Sequence, residues 1–275
     1  MEFNKKTVVI TGGSGGIGKV VAAFFVLAGA HVVIASLNKR RIRKVIAELP
    51  RAQGTLLGIK TDVSSWSDIR KMTGQVLKKY KKIDVLVNCA GIQAPIGSFA
   101  VNRINQWRRN IEVNLLGTVM TVKAVLPHML KRQQGKIINF SGGGSTSPRP
   151  NFSAYAVAKT AVVRFTEIIA EEVKKYGIFV NAISPGAVNT RMLQEVLRAG
   201  KKAGLKEYSE AMKRFKVGGT PPELAAKLIL FLASKKSEPL TGRLISAVWD
   251  NWQKWDRKKI KAIMKSDLYT LRRIK

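Results

Sequence analysis

The stretch TVVITGGSGGIGKVVAAFF, from Thr7 to Phe25, decides the fold of this chain. An apolar strand runs straight into Gly12, Gly16 and Gly18, and an apolar helical pattern follows. Glycine lets the backbone turn tightly and approach a ligand closely, because it has no Cβ. The free N–H groups and the dipole of the new helix attract negative charge. The stretch therefore predicts a strand–turn–helix unit that binds the pyrophosphate of a dinucleotide.

The same alternation of strand and helix continues along the 275 residues. Strands are predicted at Thr7–Thr11, His31–Ser36, Leu56–Thr61, Asp84–Asn88, Gly135–Ser141, Ile178–Ile183 and Arg243–Val248. Helices are predicted at Gly16–Gly29, Asn38–Leu49, Trp66–Tyr80, Val101–Arg132, Ser153–Tyr176 and Pro222–Ala233. Right-handed crossovers between parallel strands place helices on both faces. We therefore expect an α/β fold with one doubly wound, seven-stranded parallel sheet, formed by a single domain over residues 1–250.

Two stretches interrupt this alternation. Thr190–Gly219 is helical, charged and broken by glycines, which predicts a substrate flap over the carboxyl ends of the strands, at about residues 187–219. Trp249, Trp252 and Trp255 recur every three residues beside a basic cluster, which predicts an extra helix with one aromatic face in a C-terminal helical tail, residues 251–275. This extension either packs against the body or a neighbouring subunit, or helps to shape the substrate pocket.

The charge balance is strongly basic. The chain has 49 Lys and Arg against 17 Asp and Glu, a net charge of +32. Its basic residues are spread over several elements, which favours a solvated basic surface over a dedicated anionic partner such as nucleic acid. One cysteine and two distant histidines predict neither a disulfide nor a metal site. Since no apolar run reaches the roughly 18 residues of a membrane span, we expect a cytoplasmic protein.

Several short motifs follow one another in a fixed order, and they are informative only when they are taken together. The glycines have the spacing T-G-x-x-x-G-x-G, Asn88-Cys89-Ala90-Gly91 follows the fourth predicted strand, and Tyr155-x-x-x-Lys159 opens a helix. With Asp62-Val63, Asn114 and Pro185-Gly186, these motifs resemble the short-chain dehydrogenase/reductase family over about residues 5–248. The resemblance implies a Rossmann-like fold and an oxidoreductase that uses NAD(P)(H). The tail lies outside the general family pattern.

The resemblance assigns residues to two halves of one site. Cofactor binding falls to Thr11, Gly12, Ser14, Gly16, Ile17, Gly18, Ser36, Asn38, Lys39, Asp62, Val63, Asn88, Ala90, Gly91, Tyr155, Lys159, Pro185, Gly186, Val188 and Thr190. Catalysis falls to Tyr155, Lys159, Ser141 and Asn114. A carboxylate at the end of the second strand would hold the ribose hydroxyls of NAD, but Ser36 stands there, with Lys39 and Arg40 nearby. NADP(H) is therefore favoured over NAD(H), although Leu37 stands where NADP-dependent relatives often carry arginine.

Tyr155 and Lys159 are the expected acid–base pair. A phenol has a pKa near 10, and a lysine four residues on shares its helical face and can supply positive charge. In the family this lysine also binds the nicotinamide ribose. Asn114 matches the family asparagine that kinks the long fourth helix and holds a water in a proton relay toward the lysine; alternatively it is a buried helix cap.

The family serine that holds the substrate oxygen is displaced in this sequence. Counting 13 residues back from Tyr155 arrives at Gly142, with Ser141 on one side and Ser145 and Thr146 on the other. Three interpretations stay open. The loop is one residue longer, so that Ser141 reaches the site; or Ser145 or Thr146 turns inward; or no side-chain hydroxyl contributes, and backbone N–H groups act instead or activity is lost.

The expected substrate is a small hydroxyl or ketone compound that is polar or anionic, such as a sugar-like molecule. This follows from polar residues in the loops at the carboxyl ends of the strands, among them Gln93, Arg149 and Asn189. Two alternatives remain: a reductase of 3-oxoacyl groups on a carrier protein, and a non-catalytic NADP-binding sensor or scaffold. By resemblance, the long helices should pair two or four copies in a homodimer or homotetramer.

Overall fold

The computed structural model describes residues 2–50 and 54–272. Seven strands form one sheet in the order β3-β2-β1-β4-β5-β6-β7, and every neighbouring pair is parallel. The strands are β1 (Thr7–Thr11), β2 (His31–Ser36), β3 (Leu56–Lys60), β4 (Val85–Asn88), β5 (Gly135–Phe140), β6 (Ile178–Ser184) and β7 (Leu244–Ser246). The doubly wound fold expected from the sequence is confirmed, and each strand lies within two residues of its predicted bounds.

Ten α-helices are formed by the described residues. They are α1 (Gly16–Leu27), α2 (Lys39–Glu48), α3 (Trp66–Tyr80), α4 (Ile104–Ile111), α5 (Gly117–Arg132), α6 (Ser153–Val173), α7 (Arg191–Ala199), α8 (Leu205–Val217), α9 (Pro222–Ala233) and α10 (Arg257–Met264). Apolar residues of α1, α2 and α9 share one core cluster on one face of the sheet, and those of α3, α5 and α6 share another on the opposite face. A third cluster joins Phe152 and Tyr155 to α7 and α8, which form the flap.

The helix predicted over Val101–Arg132 is interrupted in the structure. It begins at Ile104, and a π-helical turn over Glu112–Leu116 separates α4 from α5. The segment Ile104–Arg132 is long and apolar enough to cross a membrane by length and composition alone. Val122, Val125 and Met129 are buried in the core cluster beneath the sheet, so packing accounts for the apolar composition.

The tail differs from its predicted form, because the three tryptophans do not share a helix. The Ser246 hydroxyl accepts hydrogen bonds from the backbone N–H groups of residues 248 and 249, which fixes Trp249 in a turn where its side chain is 84% exposed. Trp252 packs against Phe231 instead. The helix begins only at residue 257, because the Asp256 side chain caps it by accepting from the Lys259 N–H.

The tail is joined to the body by a buried arginine and by the last strand. Arg243 Nη2 donates to the carbonyl oxygens of Ile263 (3.2 Å), in the last turn of α10, and of Ser266 (2.9 Å), just beyond the helix. On the outer edge of β7, the Leu244 N–H donates to the Tyr269 carbonyl (2.8 Å). The next outward N–H, of Ser246, donates to Asp250 (2.7 Å). Both donors of this edge strand are therefore satisfied within the chain.

Candidate active site

The glycine-rich turn has the close backbone approach that a dinucleotide cradle requires. Gly12 has φ +69°, and a Cβ there would stand 2.8 Å from Ala90 Cα. A Cβ on Gly18 would stand 2.6 Å from the Gly12 carbonyl oxygen. No side chain caps the N-terminus of α1 and no acidic residue lies in its first turn. The turn leaves these N–H groups to a ligand, and the residues present fit the pyrophosphate of a dinucleotide.

The carboxyl end of β2 carries hydroxyls and positive charge. The Ser36 hydroxyl lies 2.6 Å from the Ser14 hydroxyl of the glycine-rich turn, so these two predicted residues are brought together. Asn38 caps α2, since its side-chain oxygen accepts from the Arg41 N–H at 3.0 Å. Lys39 and Arg40 occupy the first turn of α2, which holds no acidic residue. Cations at a helix N-terminus oppose the dipole, so a bound anion would be stabilised there.

Asp62 is held as a carboxylate. Its Oδ1 accepts from the backbone N–H and the hydroxyl of Ser64, and its Oδ2 pairs with Arg109 at 3.2 Å. Burial alone would raise the pKa of Asp62, but these hydrogen bonds and the Arg109 charge outweigh burial and lower it. Neighbouring Val63 is buried. Asp62 is thus a fixed acceptor at the end of β3.

Asn88 and Asn114 hold the loop that follows β4. The Asn88 amide donates to Asn139 (2.9 Å) and accepts from Thr121 (2.7 Å), while the Thr11 hydroxyl accepts from the Ala90 N–H (3.2 Å). Asn114 lies in the π-helical turn and is fully buried; it binds both the N–H and the carbonyl of Ile92. These contacts place Gly91 where a Cβ would stand 3.7 Å from Lys159 Nζ. The Asn114 side chain is thereby used to position this loop.

Tyr155 and Lys159 lie in the first two turns of α6, and both are buried. Lys159 Nζ lies 5.7 Å from the centre of the Tyr155 ring and donates to the Phe140 carbonyl at 2.9 Å. Burial lowers the pKa of Lys159 to about 8, against a smaller opposing effect of Cys89. Burial raises the pKa of Tyr155 to about 12, although the nearby Arg149 charge acts to lower it. Tyr155 is therefore protonated at neutral pH, and burial outweighs the cationic stabilisation expected from the sequence.

The residue beside the Tyr155 hydroxyl is Gly142. A Cβ built on Gly142 would overlap that hydroxyl oxygen and stand 3.2 Å from Cζ of the ring. The Ser141 side chain instead donates to the Lys159 carbonyl at 3.4 Å, one helical turn further along α6. Ser145 is buried and Thr146 is exposed. The structure thus does not bring the Ser141 hydroxyl to the place beside Tyr155 that the first interpretation gives it.

A cavity of about 420 Å³ lies under the flap and joins both halves of the site. Its floor includes Ile17, Tyr155, Pro185, Gly186, Val188 and Thr190, and its roof includes Glu207, Glu210 and Arg214 of α8. A larger open groove of about 840 Å³ between α9 and the tail contains none of the predicted site residues. The smaller cavity is therefore the candidate active site.

Some residues of the site belong to none of the sequence motifs. Asn110 is fully buried, and its amide donates to the carbonyls of residues 92, 93 and 94 while its oxygen accepts from Asn114. Its position four residues before Asn114, on the same helical face, is the only signal in the sequence. Glu207 was not singled out either, yet it forms a two-point ion pair with Arg149 (2.6 and 2.9 Å).

Known proteins resemble this chain over most of its length. A family model described as short chain dehydrogenase matches residues 6–201. The chain is 31% identical to 3-oxoacyl-(acyl-carrier-protein) reductase FabG of Thermotoga maritima, over 89% of this chain and 97% of that protein. It is 32% identical to an NAD-dependent glycerol dehydrogenase of Listeria innocua, over 88% of this chain and 92% of that protein. A solved short-chain type dehydrogenase/reductase from Mycobacterium ulcerans superposes with a TM-score of 0.80 at 28% identity, covering 90% of this chain and 89% of that one.

Proposed function

The chain belongs to the short-chain dehydrogenase family of NAD(P)-dependent oxidoreductases, and we propose that it interconverts a small ketone and a secondary alcohol with Tyr155 as the proton donor and acceptor. The observation that carries the proposal is that Tyr155 lines one cavity with Ile17 of the glycine-rich turn and with Pro185, Gly186, Val188 and Thr190. Lys159 is buried one helical turn further along α6. When bound, the nicotinamide supplies or accepts the hydride. The glycine-rich turn and Asp62 would hold that cofactor, with Thr190 beside Gly16 at the entrance.

Tyr155 acts on the oxygen of the substrate. In reduction its hydroxyl proton passes to the carbonyl oxygen, and in oxidation the phenolate takes the alcohol proton. A pKa raised to about 12 keeps the hydroxyl protonated at neutral pH, which is the form that donates the proton in reduction. Lys159 is the neighbouring cation that stabilises the phenolate once the proton has left. Asn114 positions the loop that brings Gly91 close to Lys159 Nζ.

NADP(H) is the proposed preference. Support comes from the absence of a carboxylate at the end of β2, where Ser36 stands, and from Lys39 and Arg40 in the first turn of α2. Titration of protein fluorescence with NADPH and NADH tests it. We expect tighter NADPH binding, and a Ser36→Asp variant should reverse the order, because its carboxylate repels a 2′-phosphate. If the unmodified protein and the variant each bound NADPH and NADH equally well, the proposed preference would be contradicted. If neither nucleotide bound, both the enzyme and the sensor hypotheses would be excluded.

The proposed substrate is polar or anionic, because the cavity roof and its rim carry Arg149, Glu207, Glu210 and Arg214. Turnover is measured over sugars, polyols, simple ketones and 3-oxoacyl thioesters, with Tyr155→Phe as the control. Highest turnover on the thioesters would favour the carrier-protein alternative, for which the 31% identical relative is the supporting observation. Cofactor binding without turnover would favour a sensor, for which the missing side chain at Gly142 is the supporting observation.

We also propose that the chain forms a homodimer or homotetramer through its long helices. Ile104, Leu116, Val157 and Ile168 are apolar side chains on α4, the π-helical turn and α6, and between 45% and 63% of each is exposed. Covering them would remove apolar surface from water. Light scattering at rising salt tests the proposal, since salt screens the repulsion between copies that each carry +32.

A further inference from the structure

Arg149 is the charged residue that the cavity places nearest to Tyr155 from the loop side. Its guanidinium lies 3.8 Å from the centre of the Phe152 ring and 5.9 Å from that of Tyr155. Only 15% of the side chain is exposed, and it lines the same cavity as Tyr155 and Gly142. Stacking on an aromatic face fixes the plane of a guanidinium without using its N–H groups.

Four of the five N–H groups of this guanidinium have partners. Nε and Nη2 donate to the two carboxylate oxygens of Glu207, at 2.6 and 2.9 Å. With the Gln93 amide in the orientation that satisfies both its ends, its oxygen accepts from Nη1 (2.9 Å) and Nη2 (3.1 Å), and its nitrogen donates to the Met192 carbonyl (3.0 Å). One N–H of Nη1 therefore remains without a partner among residues 2–50 and 54–272.

The glycine loop covers one face of the guanidinium. A Cβ on Gly143 would stand 3.7 Å from Nη1 and 3.9 Å from both Cδ and Cζ, which places it over the plane of the group. The uncommitted N–H of Nη1 lies in that plane, at the edge that neither Glu207 nor Gln93 occupies. The adjoining residue, Gly142, borders the Tyr155 hydroxyl and offers no side-chain donor. Arg149, Gly142 and Tyr155 line one cavity, so the donor and the acid are open to the same space.

We propose that Arg149 is a further active-site residue of this chain, whose uncommitted Nη1–H donates a hydrogen bond to the substrate oxygen on which Tyr155 acts. It takes the place for which position 142 provides no hydroxyl. The guanidinium keeps its proton throughout: only the Tyr155 proton moves, and Arg149 stabilises the charge that develops on the oxygen. Glu207 and Gln93 position the guanidinium. The inference rests on the proposed function.

Three variants separate donation from the other roles of Arg149. Arg149→Gln removes both the charge and the donor, Arg149→Lys keeps the charge but loses the planar fork, and Glu207→Gln breaks the ion pair while leaving Arg149 in place. They are compared on the best substrate of the panel by kcat and KM. We expect kcat to fall on the order of 100-fold in Arg149→Gln and nearly as much in Arg149→Lys, with KM little changed. Glu207→Gln should lose much less kcat.

A second measurement needs no turnover. Tyrosine labelled with ¹³C at Cζ reports ionisation of Tyr155, with the signal assigned by Tyr155→Phe. Relative to the unmodified protein, ionisation should begin at higher pH in Arg149→Gln and not in Arg149→Lys or Glu207→Gln, because only the first variant removes the positive charge.

The results separate failure of this inference from failure of the proposed function. Equal losses of kcat in Arg149→Gln and Glu207→Gln, or a raised KM with kcat unchanged, would show that Arg149 only holds the flap or binds a remote substrate group. An unchanged Tyr155 titration in Arg149→Gln would also overturn the inference. A protein that binds cofactor but turns over no panel member would overturn the proposed function, and the role of Arg149 in catalysis with it.

Discussion

Replacing Gly142 by alanine tests whether the space beside the Tyr155 hydroxyl must stay empty. The new methyl carbon would overlap the hydroxyl oxygen and stand 3.2 Å from Cζ. Restoring an ordinary contact of about 3.5 Å requires the hydroxyl to move by about 1 Å. A misplacement of that size at a reacting group costs on the order of 100-fold in rate. We therefore expect kcat to fall by roughly this factor.

Gly143→Ala is the matched comparison, because its methyl would meet nothing closer than 3.7 Å. Both variants are assayed for kcat on the best substrate and for cofactor affinity by fluorescence titration, which should stay at the level of the unmodified protein. The loss of kcat at position 142 should exceed that at 143 by at least about tenfold. Equal rates in the two variants, or a faster enzyme with alanine at 142, would refute the packing constraint on Tyr155.

Three further predictions concern stability. Lys159 is buried with a pKa lowered from 10.5 to about 8, so keeping it charged costs the fold about 3 kcal/mol below pH 8, and the cost disappears as pH rises toward 10.5. In urea unfolding at neutral pH, the Lys159→Met variant should be about 2 kcal/mol more stable than the unmodified protein, after allowing for the lost hydrogen bond to Phe140. The variant should also be inactive. Equal stability of the two proteins would contradict the lowered pKa of Lys159. Asp84→Asn should lose about 2 kcal/mol, because buried Asp84 accepts from Thr7 and pairs with Arg132 at 2.9 Å. These bonds and nearby lysines lower its pKa despite burial, so its contribution is lost as pH falls through that lowered pKa, and the variants should converge in acid. Arg243→Met should leave the body intact but speed tryptic cleavage after residue 250, since Arg243 holds the carbonyls of Ile263 and Ser266; an unchanged cleavage rate would show that the core contacts of α10 suffice.

The fold could be predicted because its signals are local. Apolar runs such as Gly135–Phe140 and the glycines after β1 determine strands and turns within a few residues of themselves. The resemblance implied a kink at Asn114, but the π-helical turn itself has no local sequence signal, because Asn114 is held there by bonds to Ile92 in a separate loop. The single helix predicted from the tryptophan spacing is wrong, because the side chains of Ser246 and Asp256 determine where the turn and the helix of the tail begin.

The sequence predicted which residues belong to the candidate site better than it predicted how their side chains are arranged. Spacing alone pointed to Gly142, but only the packing of α6 against β5 shows that its missing side chain adjoins the Tyr155 hydroxyl. Arg149 was named as a polar residue of the rim, whereas its partner Glu207 lies 58 residues away on the flap. Such pairings depend on tertiary structure, and no local sequence pattern predicts them.

The closed outer edge of β7 has a consequence for truncated forms of the protein. The Leu244 N–H has its acceptor only in a chain that extends to Tyr269. A form cut between these two residues would present an unpaired edge strand to other copies, the situation in which intermolecular pairing begins. Loss of a short C-terminal segment would therefore make the protein prone to aggregation although its seven strands are all present.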